Sequence, residues 1–356
     1  MSPATAPRHG TIRLLHLAAD DTLTEGTLAD LPQLLRPGDL LVCNDAATLP
    51  ASLRAVTGRG EAVELRLCGQ TGEHDHLAVV FGAGDWRDRT EDRAPPPRLR
   101  IGDQLSVGDL RATIVATDAV APRLVTLQFD RAGAALWRAL YAAGRPVQYS
   151  YLDRPLDLWD VQTVFAARPW AVEPPSAGLA LTWELLLELR RAGVAFARVT
   201  HAAGISSTGD AALDARLPLA ERYDVPAATV AAIAEARRRG SRVLAVGTTV
   251  VRALESAARR GGGTVIAGTA TTDLRLSETT PLLVVDGILT GMHEADTSHF
   301  ALLGAFVRRE RLHALAARAT ELGFLAHEFG DVALILAAPS TNVCRRRTHV
   351  VACSPP

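Results

Sequence analysis

Several things are scarce in this sequence, and each scarcity narrows the possibilities. Aromatic residues fill only 5% of the 356 positions, four residues are cysteine, and basic and acidic side chains nearly cancel, 38 against 39. That balance removes any global field toward nucleic acid, so only a local basic face can supply one. Cys43, Cys68, Cys344 and Cys353 lie far apart with no C-x-x-C pair. This excludes a thiolate metal motif and any persuasive disulfide framework, and the four read as reduced thiols. The ending CSPP lacks the aliphatic positions of a prenylation signal. No apolar run approaches the roughly 18 residues of a membrane span, and MSPATAPRHG has neither the charged nor the apolar region of a signal peptide. A cytoplasmic protein without membrane attachment is expected, and a monomer is compatible with all of this.

What is present is apolar content of 48%, enough to bury a core across two domains. Up to about Arg54, the strand-like runs IRLLHL and DLLVCND flank LADLPQLL, a short helix stopped by Pro37-Gly38. From about Ala55 to Asp130, short alternating pieces such as AVELRL, HLAVVFG and RLVTLQF are separated by Gly, Asp and Pro. Those intervals suit about six antiparallel strands in a small barrel or sandwich, with DWRDRTEDRAPPPR as a polar surface loop. After about Gly144 strand and helix alternate. TWELLLELRRAG and VPAATVAAIAEARRRG are helices stopped by Gly193 and Gly240, VAFARVTHA is a strand, and DVALILA closes the series. The expected fold class is α/β: a main domain with a largely parallel sheet, residues 1–54 and 145–356, interrupted by an inserted antiparallel β-barrel, residues 55–144.

In such a sheet, ligand contacts come from the carboxyl ends of the strands. Four places have that position by sequence: Asn44-Asp45 after DLLVC, His201 after VAFARVT, Gly247-Thr248-Thr249 after RVLAV, and Asp286 after PLLVV. In RVLAVGTTVVRALES a strand, a tight turn and a helix follow one another, and a helix start can hold an anion or polar ligand group. Asn and Asp in such places also serve as turn and cap residues, and a strand-end His as a hydrogen-bonded core residue. HEADTSH, residues 293–299, carries two imidazoles and two carboxylates, but not at H-E-x-x-H spacing. It reads as a loop leading into a helix capped by Thr297 or Ser298, with His293 and His299 on different faces. RRERLH (308–313) and RRRTH (345–349) read as solvated basic faces.

Taken in order, these pieces resemble the S-adenosylmethionine:tRNA ribosyltransferase-isomerases of queuosine biosynthesis, over nearly the whole chain. RVLAVGTTVVRALES is close to the family's R-V-I-A-V-G-T-T-S-V-R-x-L-E-S. PGDLLVCND, VQTVFA, PPSAGLALT, LLVVDGILTGMH and FGDVALIL resemble five further family motifs at matching intervals. The resemblance implies an α/β domain carrying an inserted β-barrel. It also implies transfer and isomerisation of the ribosyl part of S-adenosylmethionine onto the aminomethyl group of a tRNA 7-deazaguanine, with adenine and methionine released. S-adenosylmethionine is then a co-substrate, and neither cofactor nor metal is implied. Functional weight passes to Asn44, Asp45, Ser176, Gly178, His201, Gly247, Thr248, Thr249, Arg252 and Thr272 as substrate contacts, with Thr248 and Thr249 on polar groups of S-adenosylmethionine. Asp273, Asp286 and His293 are candidates for proton transfer, and Asp331, next to Gly330, for structural or catalytic support.

The chain also departs from the family pattern. NDAATLPASL lacks both arginines of N-D-T-R-V-I-P-A-R-L, Ala180 replaces a histidine, Leu283 replaces a lysine, HAAGISSTG keeps only the His201 end of H-V-G-x-G-T-F, and Y-P-x-Y is missing. These losses remove phosphate contacts and stacking platforms for RNA. A diverged relative acting on S-adenosylmethionine with a small acceptor, or with none, is therefore the alternative expectation, and a non-catalytic nucleoside-binding protein the third.

Overall fold

The computed structural model describes residues 1–338 apart from 9, 73 and 296, so the run 345–349, Cys344 and Cys353 lie outside the described residues. A nine-stranded mixed sheet organises the larger body. Its four central strands, Ala195–His201, Leu40–Asn44, Val243–Val246 and Gly287–Gly291, run parallel to one another. Val332–Leu336 pairs antiparallel with Gly287–Gly291 and parallel with Arg13–Leu17. Every residue of Leu40–Asn44 and Val243–Val246 is buried, as expected of strands covered by helices on both faces. On one face the Thr248–Arg260 helix is buried from Thr248 to Ala258 except at Thr249. On the other lie the helix Trp183–Arg191 and the turn Ser176–Gly178, whose Leu185, Leu189 and Ala177 pack on Leu41, Leu244 and Leu289.

The second body is a closed antiparallel barrel of six strands, from Ser52–Thr57 to Leu124–Phe129. The helix Gly133–Ala143 buries Leu136, Ala139 and Leu140 in the same core. Fold class and barrel are as the sequence led us to expect. One detail differs: the polar loop after Phe81 sends Arg93 inward, where it donates to the Gly82 carbonyl at 2.7 Å and pairs with buried Glu64. A loop's charge pattern does not show that one of its arginines must neutralise a carboxylate from a neighbouring strand.

Two further expectations need correction. PLLVV is not a strand. The N–H groups of Leu283, Val284 and Val285 all donate to the buried carboxylate of Glu255, at 2.9–3.1 Å, so none is left for a ladder. The strand is Gly287–Gly291, and it opens on a glycine because a Cβ there would lie 2.7 Å from Leu244 and Leu336 side-chain carbons. The segment SHFALLGAFVRRERLHALAARATELG, 298–323, reads as one helix in sequence but is two, Ser298–Leu303 and Arg309–Glu321, with Thr297 capping the first through Phe300 N–H.

Candidate active site

A cavity of about 740 Å³ opens at the carboxyl end of the parallel strands, a volume that suits a nucleoside-sized ligand. Its walls come from Pro7, Arg8 and residues 10–12, from the turn around Trp159, from Ser176, Ala177 and several residues of 179–188, and from the loop 327–332. Of the residues expected from sequence, Ser176 and Asp331 line it. Gly178 does not; a Cβ there would lie 3.0 Å from Phe165 and Thr163 side-chain atoms, so its role is packing.

Gly247, Thr248 and Thr249 stand one layer behind the cavity wall. Gly247 adopts φ +87°, a conformation that glycine accepts without strain, and a Cβ on it would touch cavity-lining Ala177 at 3.5 Å. No side chain among the described residues caps the helix that follows. Asn44 ties this junction to the neighbouring strand. Its amide oxygen accepts from His201 N–H at 2.9 Å, and its amide nitrogen donates to the His201 carbonyl at 3.0 Å and to the Thr249 hydroxyl at 3.2 Å. Asp45 faces elsewhere, accepting from Thr200 Oγ1 at 2.5 Å beside Arg198 at 3.6 Å.

Behind that layer is a buried polar group that the sequence did not announce. Glu221 pairs with Arg252, accepts from Gly204 N–H at 2.6 Å, and lies 3.4 Å from His201 Nε2. Burial raises the Glu221 carboxyl, against the opposing pull of Arg252 and the Gly204 N–H. His201 is fully buried, neither ring nitrogen has a hydrogen-bond partner among the described residues, and burial, then the Arg252 charge, hold its pKa well below the ordinary value. Arg252 also donates to the Leu274 carbonyl at 3.0 Å, and Ser256 bonds the Thr272 hydroxyl at 2.5 Å. Much of the RVLAVGTTVVRALES segment thus works as a hub: Arg252, Glu255 and Ser256 pin residues 272–285 to their helix. The signal for Glu221 was weak, one of two acids in a short strand, Glu221–Val225, where period-2 burial points it inward.

The proposed proton-transfer residues separate. Asp286 sits at the amino end of its strand, level with Val243, at the opposite end of the sheet from Asn44 and Gly247. It accepts from Val243 N–H at 2.7 Å and pairs with Arg237 at 3.0 Å. The strand-end position expected for it fails because the strand begins after it. Asp273 is exposed, with no hydrogen bond or ion pair among the described residues. Asp331 is fully buried and saturated by Arg8, Arg13 and the Leu325 N–H. Burial would raise its carboxyl, but those donors together hold it below the usual range.

His293 is the member that stays near the cavity, two residues after cavity-lining Gly291, with Nε2 2.7 Å from Thr290 Oγ1. Its ring lies 5.0 Å from that of His299, so the two imidazoles are neighbours rather than on separate faces. His293 precedes the helix Ser298–Leu303, which carries His299 in its first turn. Burial first, then His299 and His327, push the His293 pKa well below its ordinary value. Among the described residues no group of three His, Cys, Asp or Glu side chains is placed to hold a metal ion.

A ladder of rings reaches the cavity from the barrel side. His327, which lines the cavity at φ +67°, stacks on Tyr151 at 4.4 Å, and Tyr151 stacks on Tyr149 at 6.1 Å. Tyr151 donates to Glu328 and Tyr149 to Glu173. Nothing in the spacing of these residues marks them as neighbours, since 24 to 177 positions separate the hydrogen-bonded pairs.

Comparison with known proteins gives a consistent result. Residues 2–335 match the family described as queuosine biosynthesis protein. An S-adenosylmethionine:tRNA ribosyltransferase-isomerase from Thermosynechococcus vestitus is 36% identical over 335 residues, 92% of this chain and 90% of that one. One so named from Anaeromyxobacter dehalogenans is 38% identical over 315 residues, 86% and 87% of the two chains. The crystal structure of S-adenosylmethionine tRNA ribosyltransferase from Thermotoga maritima superposes with a TM-score of 0.51 at 25% identity, over 94% of this chain and 96% of that one. With its sequence, its barrel and its parallel-centred sheet in agreement, the chain belongs to the queuosine biosynthesis protein family.

Proposed function

We propose that this protein transfers and isomerises the ribosyl moiety of S-adenosylmethionine onto the aminomethyl group of a tRNA 7-deazaguanine, releasing adenine and methionine. The observation that carries this reading is kinship across almost the whole chain with enzymes named for that reaction. The alternatives, a small acceptor or no catalysis, lose ground to relatives that span the same two bodies.

The cavity suits a cationic co-substrate. Glu184 and Glu188, one turn apart on the helix Trp183–Arg191, line it as exposed carboxylates with no ion pair among the described residues, so a sulfonium or ammonium group meets negative charge there. A sulfonium acidifies the adjacent C5′ hydrogens and makes methionine a good leaving group. The protein must then supply a base, a proton for departing adenine and positioning. This chain contains no lysine, which excludes a lysine Schiff base, and carboxylates and imidazoles are the groups at or beside the cavity for the proton work. His293, neutral and next to the cavity, takes the role of base in this reading. Asp331 holds the wall, and Asp286 holds the far end of the sheet.

The test is incubation with S-adenosylmethionine alone and then with tRNA bearing the aminomethyl base, with adenine, methionine and nucleosides measured by mass spectrometry. Adenine release that requires the tRNA supports the reading. Release without tRNA removes the acceptor assignment, and no release in either case removes the activity.

A further inference from the structure

The sequence contains five tryptophans. Three have a ring face or edge engaged within the protein: Arg87 lies over Trp86, Arg222 over Trp170, and His76 meets Trp137 edge to face. Trp183 is half exposed and does not line the cavity. Trp159 differs from all four, because it lines the cavity and yet is 80% exposed. An indole left in water at a cavity mouth forgoes the burial that large aromatic side chains ordinarily gain.

Its exposure is not the exposure of a loose loop. Trp159 belongs to the turn Leu158–Val161, which is fixed on both sides. Arg154 makes two 3.0 Å bonds to Asp160, and Asp160 accepts from Asp157 N–H at 2.9 Å. Val161 is buried and its carbonyl accepts from the Thr48 hydroxyl at 2.8 Å, while Gln162 brackets the Thr48 backbone with two 2.9 Å bonds. The turn therefore presents one flat apolar face, at a fixed place, to whatever approaches the cavity.

We infer that Trp159 is a stacking platform for an RNA base next to the nucleotide whose base enters the cavity. The inference rests on the proposed function. An enzyme that works on a base must take it out of its stack, and the neighbouring base then loses a stacking partner. Aromatic side chains replace such partners in single-stranded RNA recognition. The rim position favours RNA over the adenine of S-adenosylmethionine. A ligand small enough to enter the cavity is enclosed by its walls, whereas the rest of an RNA stays outside and meets what stands at the mouth. The placement also provides an aromatic contact in a chain that lacks the family's Y-P-x-Y.

The experiment uses the full chain and an anticodon stem-loop RNA carrying the aminomethyl base. Quenching of tryptophan fluorescence on titration with the RNA is compared among wild type, W159A and W159F, together with steady-state kinetics in both substrates. Expected is a loss of most of the quenching in both variants. RNA affinity and KM for RNA should weaken about tenfold in W159A, within the ~5- to ~150-fold range of a single base–aromatic stack, and mostly recover in W159F. Binding of S-adenosylmethionine should be the same in all three. An unchanged RNA KM in an active W159A enzyme overturns the inference and leaves the proposed function standing. Weakened S-adenosylmethionine binding with unchanged RNA binding overturns it in favour of adenine. If the wild type shows no turnover, the proposed function fails separately, and RNA binding decides: no binding, or binding indifferent to Trp159, overturns the inference, and Trp159-dependent quenching and affinity support it.

Discussion

Asn44 and His201 hold each other by a reciprocal pair of hydrogen bonds, side-chain amide to backbone, at 2.9 and 3.0 Å. The pair extends the ladder between their strands beyond the last register step, Val199 with Asn44, and the same amide nitrogen reaches Thr249. An aspartate at this position keeps the acceptor and loses both donations, setting a carboxylate against the His201 carbonyl. N44D is expected to lower unfolding free energy by about 1–3 kcal/mol in denaturant titrations, the cost of leaving buried polar groups unpaired. Stability equal to wild type would mean that the clamp contributes nothing.

The contrast between Asn44 and Glu221 shows what a sequence of this kind reveals. Strand and helix boundaries were legible because Leu40–Asn44 and Val243–Val246 are continuous apolar runs and Gly193 and Gly240 end helices at positive φ. The convergence of Asn44, His201 and Gly247 followed from the rule that parallel strands share a carboxyl end. Glu221 was not legible, because its partners, His201 and Arg252, are 20 and 31 residues away. Asp286 was misplaced for a related reason. PLLVV has the composition of a strand, and only the buried Glu255 carboxylate, 28 to 30 residues earlier, diverts its N–H groups.

Asp331 joins the N-terminal segment to the last strand, and its two arginines lose their common partner in D331N. The arginines are partly exposed and the amide keeps one acceptor oxygen, so a loss of about 1–3 kcal/mol, the range for hydrogen bonds to charged groups, is expected at neutral pH. The folded-state carboxyl is held below its unfolded value of 3.8. Its contribution is therefore complete above that pH and is lost as pH falls through the lower folded value. The stability gap between wild type and D331N should stay constant down to about pH 4 and narrow below it. A gap that is already closed at pH 7 would return Asp331 to the list of proton-transfer candidates.

Glu173 behaves in the opposite sense. Burial pushes its carboxyl up to about 7, against hydrogen bonds from Tyr149 and Ser206, and the nearby Glu328 charge adds to the rise. A folded-state value above the unfolded 4.5 favours the protonated fold. Stability from this group is full below about 4.5 and is lost as pH climbs through about 7. E173Q keeps a neutral amide in place and should remove that part of the slope. Chemical denaturation at several pH values between 4.5 and 8 measures it, and parallel curves for the two proteins would rule the assignment out.

His293 carries the clearest kinetic expectation. Its imidazole is held neutral well below pH 6.5 by burial and by His299 and His327, so it needs no deprotonation before it can accept a proton. If it is the base, kcat should run flat through pH 6.5, and its acidic limb should appear only well below that value. H293A should lower kcat by about 10² to 10⁴, the usual contribution of a positioned acid–base group, and change KM for S-adenosylmethionine much less. Thr290 refines the test. T290V removes the 2.7 Å contact to Nε2 without touching the ring, so it should move the limb and lower kcat less than H293A does. A limb near 6.5 in the wild type, or an H293A enzyme with full kcat, would transfer the role of base to another residue at the cavity.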